Sequence, residues 1–260
     1  MISFVGAGPG AADLITLRGA QRLAFADIVV WAASLVSDVM LQHCRAGVVL
    51  HDSKTMTLDD VCHVFADNPH AEIVRLHSGD TSIYSAIGEQ IAWCRTHGRD
   101  FDIVPGVSSM SAAAALAETE LTIPGVSQSV VITRLARGTA ASVPDSETIE
   151  AFAATGATLA LFLSVTCVDD LALRLLSGRS RYTARTPVVV AYRASWPDER
   201  LIRSTISTLA ADVRAAGLTA TTLFLVGDAL AGTAPPLASH VYAPTYATRF
   251  RDSVGVPSGE

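Results

Sequence analysis

Three short segments put small residues beside hydroxyl or carboxylate groups at spacings that suit ligand binding at the mouth of an open sheet. The first is Gly6-Ala-Gly-Pro-Gly10, a glycine-rich turn of the kind that seats a dinucleotide pyrophosphate between a strand and a helix N-terminus. Its details run against that chemistry. Pro9 removes a backbone donor where donors are needed, and the ribose-binding acid expected about 20 residues on is replaced by Trp31-Ala-Ala-Ser34. The second is His77-Ser-Gly-Asp-Thr-Ser-Ile-Tyr-Ser-Ala86, in which Gly79 permits close backbone approach and Asp80 can accept from a hydroxyl or ammonium group. The third, Ile103-Val-Pro-Gly-Val-Ser-Ser109, places hydroxyls just past another strand. Asp80 and Ser109 serve equally well as helix caps, so spacing alone leaves both roles open.

Other chemistries lack their residues. There is no GxSxG elbow, no GxxxxGK[ST] phosphate loop and no nucleophile and base at a recognisable spacing, which leaves hydrolase and kinase readings without support. Cysteines at 44, 62, 94 and 167 form neither a CxxC pair nor a zinc pattern and read as reduced core residues. Six of the seven histidines fall between His43 and His97 with irregular spacing and no HExxH, so no protein-bound metal is expected.

The elements that must position these loops follow from hydrophobic periodicity. Strands are expected at Ile2 to Val5, Ile28 to Trp31, Val48 to Leu50, Ile73 to Leu76 and Phe101 to Val104, with helices over 57–67 and 82–97. The first helix, after the glycine turn, carries apolar residues at Leu14, Leu17, Ala20, Leu23 and Ala24. That alternation builds a mainly parallel sheet. After Pro105-Gly106 an alanine-rich helix, Ser109 to Ala117, leads into strands at Val130 to Arg134, Thr158 to Leu163, Val188 to Tyr192, Ile202 to Thr205 and Thr222 to Val226. The turn Ser195-Trp-Pro-Asp198 between two of them implies an antiparallel pair. The expectation is an α/β protein of two α/β domains flanking a cleft, joined by a short stiff junction, with residues 1–110 as the first, 111–235 as the second and 236–260 as a tail. Ligand sites are commonly found in such clefts.

Charge and hydropathy bound the partners. Nineteen Lys and Arg against 25 Asp and Glu give a net charge of -6, with Lys54 the only lysine. No basic stripe interleaved with aromatics is present, so a nucleic-acid partner is disfavoured. The N-terminus does not resemble a secretory signal. The uncharged window 151–168 is split by Gly156 and three threonines, and 229–248 contains Pro235, Pro236 and Pro244, so neither reads as a membrane span. A cytoplasmic protein with no membrane partner is expected.

Together VGAGPG with DLIT downstream, HSGD followed by a tyrosine, VPGVSS, ELTIP, ALFLS and VVVAYRASWPDERLIRSTI resemble the tetrapyrrole (corrin/porphyrin) methyltransferases, from about Phe4 to Leu230. ELTIP and YRASWPDE look most like the branch that methylates C-11 of precorrin-4 or cobalt-precorrin-4 on the way to vitamin B12. The resemblance implies the tetrapyrrole methylase fold (class III), a homodimer, and S-adenosylmethionine (SAM) bound in a folded conformation on a non-Rossmann site, leaving S-adenosylhomocysteine as product. It also accounts for the imperfect dinucleotide fingerprint. By resemblance Gly79, Asp80, Ile83, Ser108, Ser109, Leu163, Tyr192, Ala194 beside Arg193, Thr221 and Thr222 contact SAM, and Pro9 faces the tetrapyrrole.

Two departures stand out. The family's GPGDPDLIT is here Gly8-Pro-Gly-Ala-Ala-Asp-Leu-Ile-Thr16, and its GDPxxYGA is Gly79-Asp-Thr-Ser-Ile-Tyr-Ser-Ala86. An acid and a proline are lost. The SAM contacts of the second loop are largely backbone in the family, so binding is expected to survive, while a substrate role for the missing acid does not carry over.

Methyl transfer from a sulfonium has a neutral leaving group and needs no acid, and proximity alone supplies about 7 to 11 kcal/mol. The absence of a catalytic triad is therefore expected, and no single base is identified. Arg193, Arg134 and Lys54 are candidates to dock the substrate carboxylates, against a reading as exposed surface charge. Tyr84, Tyr192 and Trp196 are candidates to stack on adenine or macrocycle, against a reading as core packing. The alternatives are methylation of another carbon or of uroporphyrinogen III, a non-catalytic tetrapyrrole carrier, and an NAD-dependent dehydrogenase.

Overall fold

Short apolar runs separated by helices build a parallel sheet in the first half of the chain. In the computed structural model, which describes residues 1–135, 140–232, 241 and 243–254, its strands are β1 (Ile2–Gly6), β2 (Ile28–Trp31), β3 (Val49–Asp52), β4 (Ile73–His77) and β5 (Phe101–Val104). They lie in the order β3-β2-β4-β1-β5 with every pairing parallel. Helices α1 (Leu17–Phe25), α2 (Leu58–Asp67), α3 (Ile87–Thr96) and α4 (Ser109–Leu116) follow their strands.

Side-chain alternation along the strands divides the interior into two cores. Val5, Val29, Trp31, Val74, Leu76 and Val104 pack with Ile15 and Leu23 on the α1 face. Ile2, Phe4, Ile28, Val30 and Ile73 pack with Val61, Phe65 and Cys94 on the α2 and α3 face. A sheet covered on both faces needs apolar residues at nearly every position of its central strands, which is why β1, β2 and β4 read as mostly hydrophobic runs. The connections from β1 and β4, which are adjacent, leave toward opposite edges of the sheet. That is a topological switch point, where open α/β sheets bind ligands beyond the carboxyl ends of the strands.

Two helix starts differ from the periodicity. Thr16 caps α1, its side chain accepting from the Gly19 N–H at 3.1 Å, so the buried face is Gly19 and Leu23 while Leu17 is 86% exposed. Helix α3 begins at Ile87, not at 82, because Tyr84 and Ala86 take left-handed backbone that no helix can include.

The second sheet has the order β6-β7-β10-β8-β9, from β6 (Val130–Arg134), β7 (Thr158–Phe162), β8 (Pro187–Tyr192), β9 (Arg200–Thr205) and β10 (Thr222–Val226), with helices α5 (Ile149–Ala153), α6 (Val168–Leu175) and α7 (Leu209–Ala215) between them. It is mixed: β6 and β7 are parallel, β7 and β10 antiparallel. Ile206 donates to Thr186 O at 3.2 Å, so the end of β9 meets the start of β8 as in an antiparallel pair. The window 151–168 becomes the end of α5, a turn at Gly156 and β7. Among the described residues no helix is long and apolar enough to cross a membrane.

By contacts the chain divides into two compact units. One is Met1–Ala117 with Ala191–Ile202 and Thr219–Leu223; the other is Glu118–Val190, Arg203–Leu218 and Phe224–Glu260. Pro235, Pro236 and part of the expected tail lie outside the described residues. All four cysteines are free, and three are buried.

Candidate functional site

The three chemistry-bearing loops meet at the carboxyl edge of the parallel sheet because β1, β4 and β5 are neighbours. Gly8 and Gly79 form a β-bridge, with Gly8 N–H donating to Gly79 O at 3.1 Å and Gly79 N–H to Gly8 O at 2.9 Å. The Ala7 N–H donates to His77 O at 2.7 Å and the Ala11 N–H to Ser195 Oγ at 3.0 Å. With those donors committed and Pro9 having none, the glycine turn lacks the run of free N–H groups that a pyrophosphate cradle needs. The loops approach so closely that only glycine fits. A Cβ on Gly106 would stand 2.2 Å from Gly79 O and 2.8 Å from Gly6 Cα.

Asp80 clasps two of these loops. Its Oδ2 accepts from the Gly106 N–H at 2.7 Å and its Oδ1 from the Ser82 N–H at 2.9 Å and from the Ser82 hydroxyl. Burial pushes the carboxyl upward, but the bonds from Ser82, Gly106 and Thr81 outweigh it and hold Asp80 below the usual carboxylate range. Ser108 caps α4, its Oγ accepting from the Met110 N–H at 3.2 Å, and Ser109 opens that helix beside Gly79. Ile83 is half-buried and its N–H donates to Asp80 O at 3.3 Å. Tyr84 is 46% exposed.

A second strand-end cluster belongs to the same compact unit. The Arg193 N–H donates to Thr221 O at 3.0 Å, joining the stretch that contains Tyr192 and the buried Ala194 to Thr221 and the buried Thr222. Trp196 reaches from this stretch to the glycine turn: its Nε1–H donates to Pro9 O at 2.9 Å, and a Cβ on Gly10 would lie 2.2 Å from its ring. The Arg193 guanidinium lies 4.0 Å over the Trp196 ring and pairs with Asp198 at 2.5 Å. Arg193 and Trp196 are therefore neither lone surface groups nor pure core, but parts of a layer seated on the glycine turn.

Seven non-glycine residues among those described have positive φ: Tyr84, Ala86, Glu118, Leu163, Arg193, Ser195 and Thr221. All but Glu118 lie in or beside the sequence-derived site segments. Such backbone costs of order 1 kcal/mol or more per residue and collects where function requires it. No sequence signal announces it, since none of these is Gly or Asn.

The remaining candidates lie apart. Lys54 follows the edge strand β3 and pairs with Asp52 at 3.0 Å. Leu163 and Arg134 belong to the other unit. There Leu163 directly follows β7, which stops one residue short of its expected end, and is 58% exposed. The next residue, Ser164, is fully buried, accepting from the Leu135 N–H at 2.8 Å and donating to Phe162 O at 2.7 Å. Arg134 donates to Ser142 Oγ at 2.6 Å. No group of three His, Cys, Asp or Glu that could hold a metal ion occurs among the described residues.

Sequence reasoning missed a buried polar row beneath the second loop. Arg75, within β4, is lowered by burial to about 10. His77 has its Nε2 buried without a hydrogen-bond partner among the described residues and is driven down to about 3 by burial and by Arg75. The available signal was an arginine inside an otherwise apolar strand, Ile-Val-Arg-Leu-His.

Residues 1–210 match the family described as Tetrapyrrole (Corrin/Porphyrin) Methylases. A precorrin-4 C(11)-methyltransferase from Sinorhizobium sp. is 41% identical over 252 residues, 96% of this chain and 98% of the relative. A cobalt-precorrin-4 C(11)-methyltransferase from Methanocaldococcus jannaschii is 40% identical over 231 residues, 88% of each chain. Among solved structures, a cobalt precorrin-4 methyltransferase of cobalamin biosynthesis superposes with a TM-score of 0.84 at 38% identity, over 88% of this chain and 95% of that one. The fold is shared at 24% identity with a uroporphyrin-III C-methyl transferase from Thermus thermophilus solved with S-adenosyl homocysteine, TM-score 0.72 over 88% of this chain and 98% of that one.

Proposed function

We propose that this chain, which belongs to the tetrapyrrole (corrin/porphyrin) methylases, transfers a methyl group from SAM to C-11 of precorrin-4, giving precorrin-5 in cobalamin biosynthesis. The observation that carries the reading is the 41% identity to a precorrin-4 C(11)-methyltransferase over 98% of that relative's length.

The residues present suit a folded SAM molecule. Left-handed backbone at Tyr84, in the loop before α3, and at Arg193 and Thr221, beside β8 and β10, falls in the segments the family resemblance assigns to SAM, and Tyr84 leaves ring surface exposed there. Gly79, Asp80, Ile83, Ser108, Ser109, Leu163, Tyr192, Ala194, Thr221 and Thr222 are assigned to hold it. When bound, SAM supplies an electrophilic methyl group on a sulfonium. The chain's task is to hold, orient and shield from water, because a neutral thioether leaves without an acid. The Asp80 clasp fixes the loop that follows β4, while the Trp196 bond to Pro9 fixes the turn that follows β1. Pro9, Lys54, Tyr84, Arg193 and Trp196 are assigned to the tetrapyrrole side, with Arg193 offering its charge to a rim carboxylate. Assembly as a homodimer in the cytoplasm is proposed on the family resemblance and is checked by light scattering of the purified protein.

The test is anaerobic incubation with methyl-labelled SAM and precorrin-4, reading product mass and the labelled carbon by NMR. One new methyl at C-11 is expected. No transfer with SAM still bound rejects this substrate, and no SAM binding restores the carrier reading. The second reading is cobalt-precorrin-4, favoured by the similarity to the Methanocaldococcus jannaschii enzyme. The ratio of kcat/KM for the two substrates separates them.

A further inference from the structure

We infer that Gln90 is a positioning residue that fixes the 79–86 loop through a buried relay starting from β4. The inference rests on the reading of that loop as part of the SAM site. Three hydrogen bonds run in series. Arg75 Nη1–H donates to Val30 O on β2 at 3.1 Å, Arg75 Nε–H donates to Gln90 Oε1 at 3.3 Å, and Gln90 Nε2–H donates to Ala86 O at 3.2 Å. Gln90 is 4% exposed. A guanidinium has donors only, so the amide oxygen must face Arg75 and the amide N–H group must face Ala86. Arg75 thus selects one of the two amide orientations and passes a fixed strand position on to the loop.

The loop needs such an anchor. Ala86 sits at φ 50° and ψ 35°, α3 has no side-chain hydrogen bond at its N-cap, and Tyr84 is also left-handed at φ 51°. Left-handed backbone is unfavourable for alanine and tyrosine, so surrounding bonds must hold them. At the other end of the loop Asp80 is tied to Gly106 and Ser82, and Ser85 Oγ bonds back to Asp80 O at 3.0 Å and Ile83 O at 3.2 Å. Without Gln90 the Ala86 carbonyl loses the side-chain bond that ties it to the helix. Arg75 has no carboxylate partner among the described residues, and its other ionisable neighbour, His77, is neutral at physiological pH.

Two variants test the relay. Gln90→Leu removes both bonds, whereas Gln90→Glu keeps an acceptor for Arg75 and removes the donor to Ala86. Backbone hydrogen exchange and SAM calorimetry are run on the full chain. In both variants exchange at Ile83 and Ser85 should rise about tenfold with β1 and β5 unchanged, and the SAM Kd should rise about tenfold. Equal losses in the two variants assign the effect to the Ala86 bond. Wild-type loop exchange and SAM affinity in Gln90→Glu overturn the inference, as does a Gln90→Leu protein that melts earlier with loop exchange unchanged. If the wild-type protein binds no SAM, the SAM-site reading fails and loop exchange alone decides the relay.

Discussion

Replacing Gly106 by alanine tests the claim that three glycine backbones must touch at the carboxyl edge of the parallel sheet. The new methyl carbon would meet Gly79 O at 2.2 Å, Gly6 Cα at 2.8 Å and Gly6 C at 2.9 Å, where ordinary contact begins near 3.4 Å. All three are backbone atoms held by sheet pairing, so none can rotate away. A retreat of more than an ångström strains the Gly8 to Gly79 bond and the Gly106 to Asp80 bond together. Overpacking at roughly 1 to 3 kcal/mol, one neutral hydrogen bond near 1 and one to a carboxylate near 1.5 to 3 give a destabilisation of about 3.5 to 7 kcal/mol. For a chain of this size that lowers Tm by about 7 to 28 °C. Gly88, in the first turn of α3 with nothing within 4 Å of its Cβ position, is the control: Gly88→Ala should leave Tm unchanged or raise it by a degree or two, since alanine is the better helix former by about 1 kcal/mol. Thermal unfolding by circular dichroism, with SAM titrated calorimetrically, reads both. A Gly106→Ala Tm within about 2 °C of wild type, less than 1 kcal/mol produces, would refute the close approach.

Asp80→Ala should weaken SAM binding while the protein stays folded, and unchanged affinity by calorimetry removes Asp80 from the site. Because the folded carboxyl is held low, its contribution to stability is present above the unfolded aspartate value near 3.8 and fades as pH falls through the lower folded value. Asp80→Asn should lack that acid-limb loss in a pH series of melts. His77 acts over a higher window: below 6.5 the unfolded chain binds a proton that the folded chain refuses down to about 3. Between pH 7.5 and 5.5 wild type should therefore lose about 1.4 kcal/mol more than His77→Gln in urea unfolding, and equal losses show His77 to be protonated in the native state. Trp196→Phe keeps a ring for Arg193 but loses the bond to Pro9 O, so it should cost about 1 kcal/mol of stability and raise the tetrapyrrole KM; an unchanged KM detaches the glycine turn from substrate binding. Arg193→Ala should raise the tetrapyrrole KM more than it alters SAM affinity, and the reverse pattern moves Arg193 to the cofactor side.

Strand positions were readable because short, mostly apolar runs bounded by polar residues mark buried strands, and β2, β5, β6 and β10 begin and end where they were expected. The convergence of the GAGPG, HSGD and VPGVSS segments followed from parallel topology once β1, β4 and β5 were recognised as strands. The start of α3 was not readable, because Tyr84 and Ala86 take left-handed backbone against their own preference, which neither residue type signals. The same holds for Leu163, Arg193 and Thr221, whose residue types advertise no turn. The Asp80 to Gly106 clasp joins residues 26 apart through one carboxylate oxygen, and neither periodicity nor composition encodes such a pair. Arg75 was visible as an odd residue in a buried strand, but its partner lies on a helix whose facing side could not be assigned before the sheet register was known.

The bond between Trp196 and Pro9 spans 187 residues, and that between Ser195 and Ala11 spans 184. During synthesis at about 5 to 20 residues per second the glycine turn therefore waits roughly 10 to 40 seconds for the indole that covers it. Throughout that interval the first strands can pair, since every neighbour of β1 lies within the first 104 residues. The turn is thus finished late although it is made first. A ribosome-bound chain stopped before Ser195 would carry a complete parallel sheet with the turn beyond β1 still uncapped.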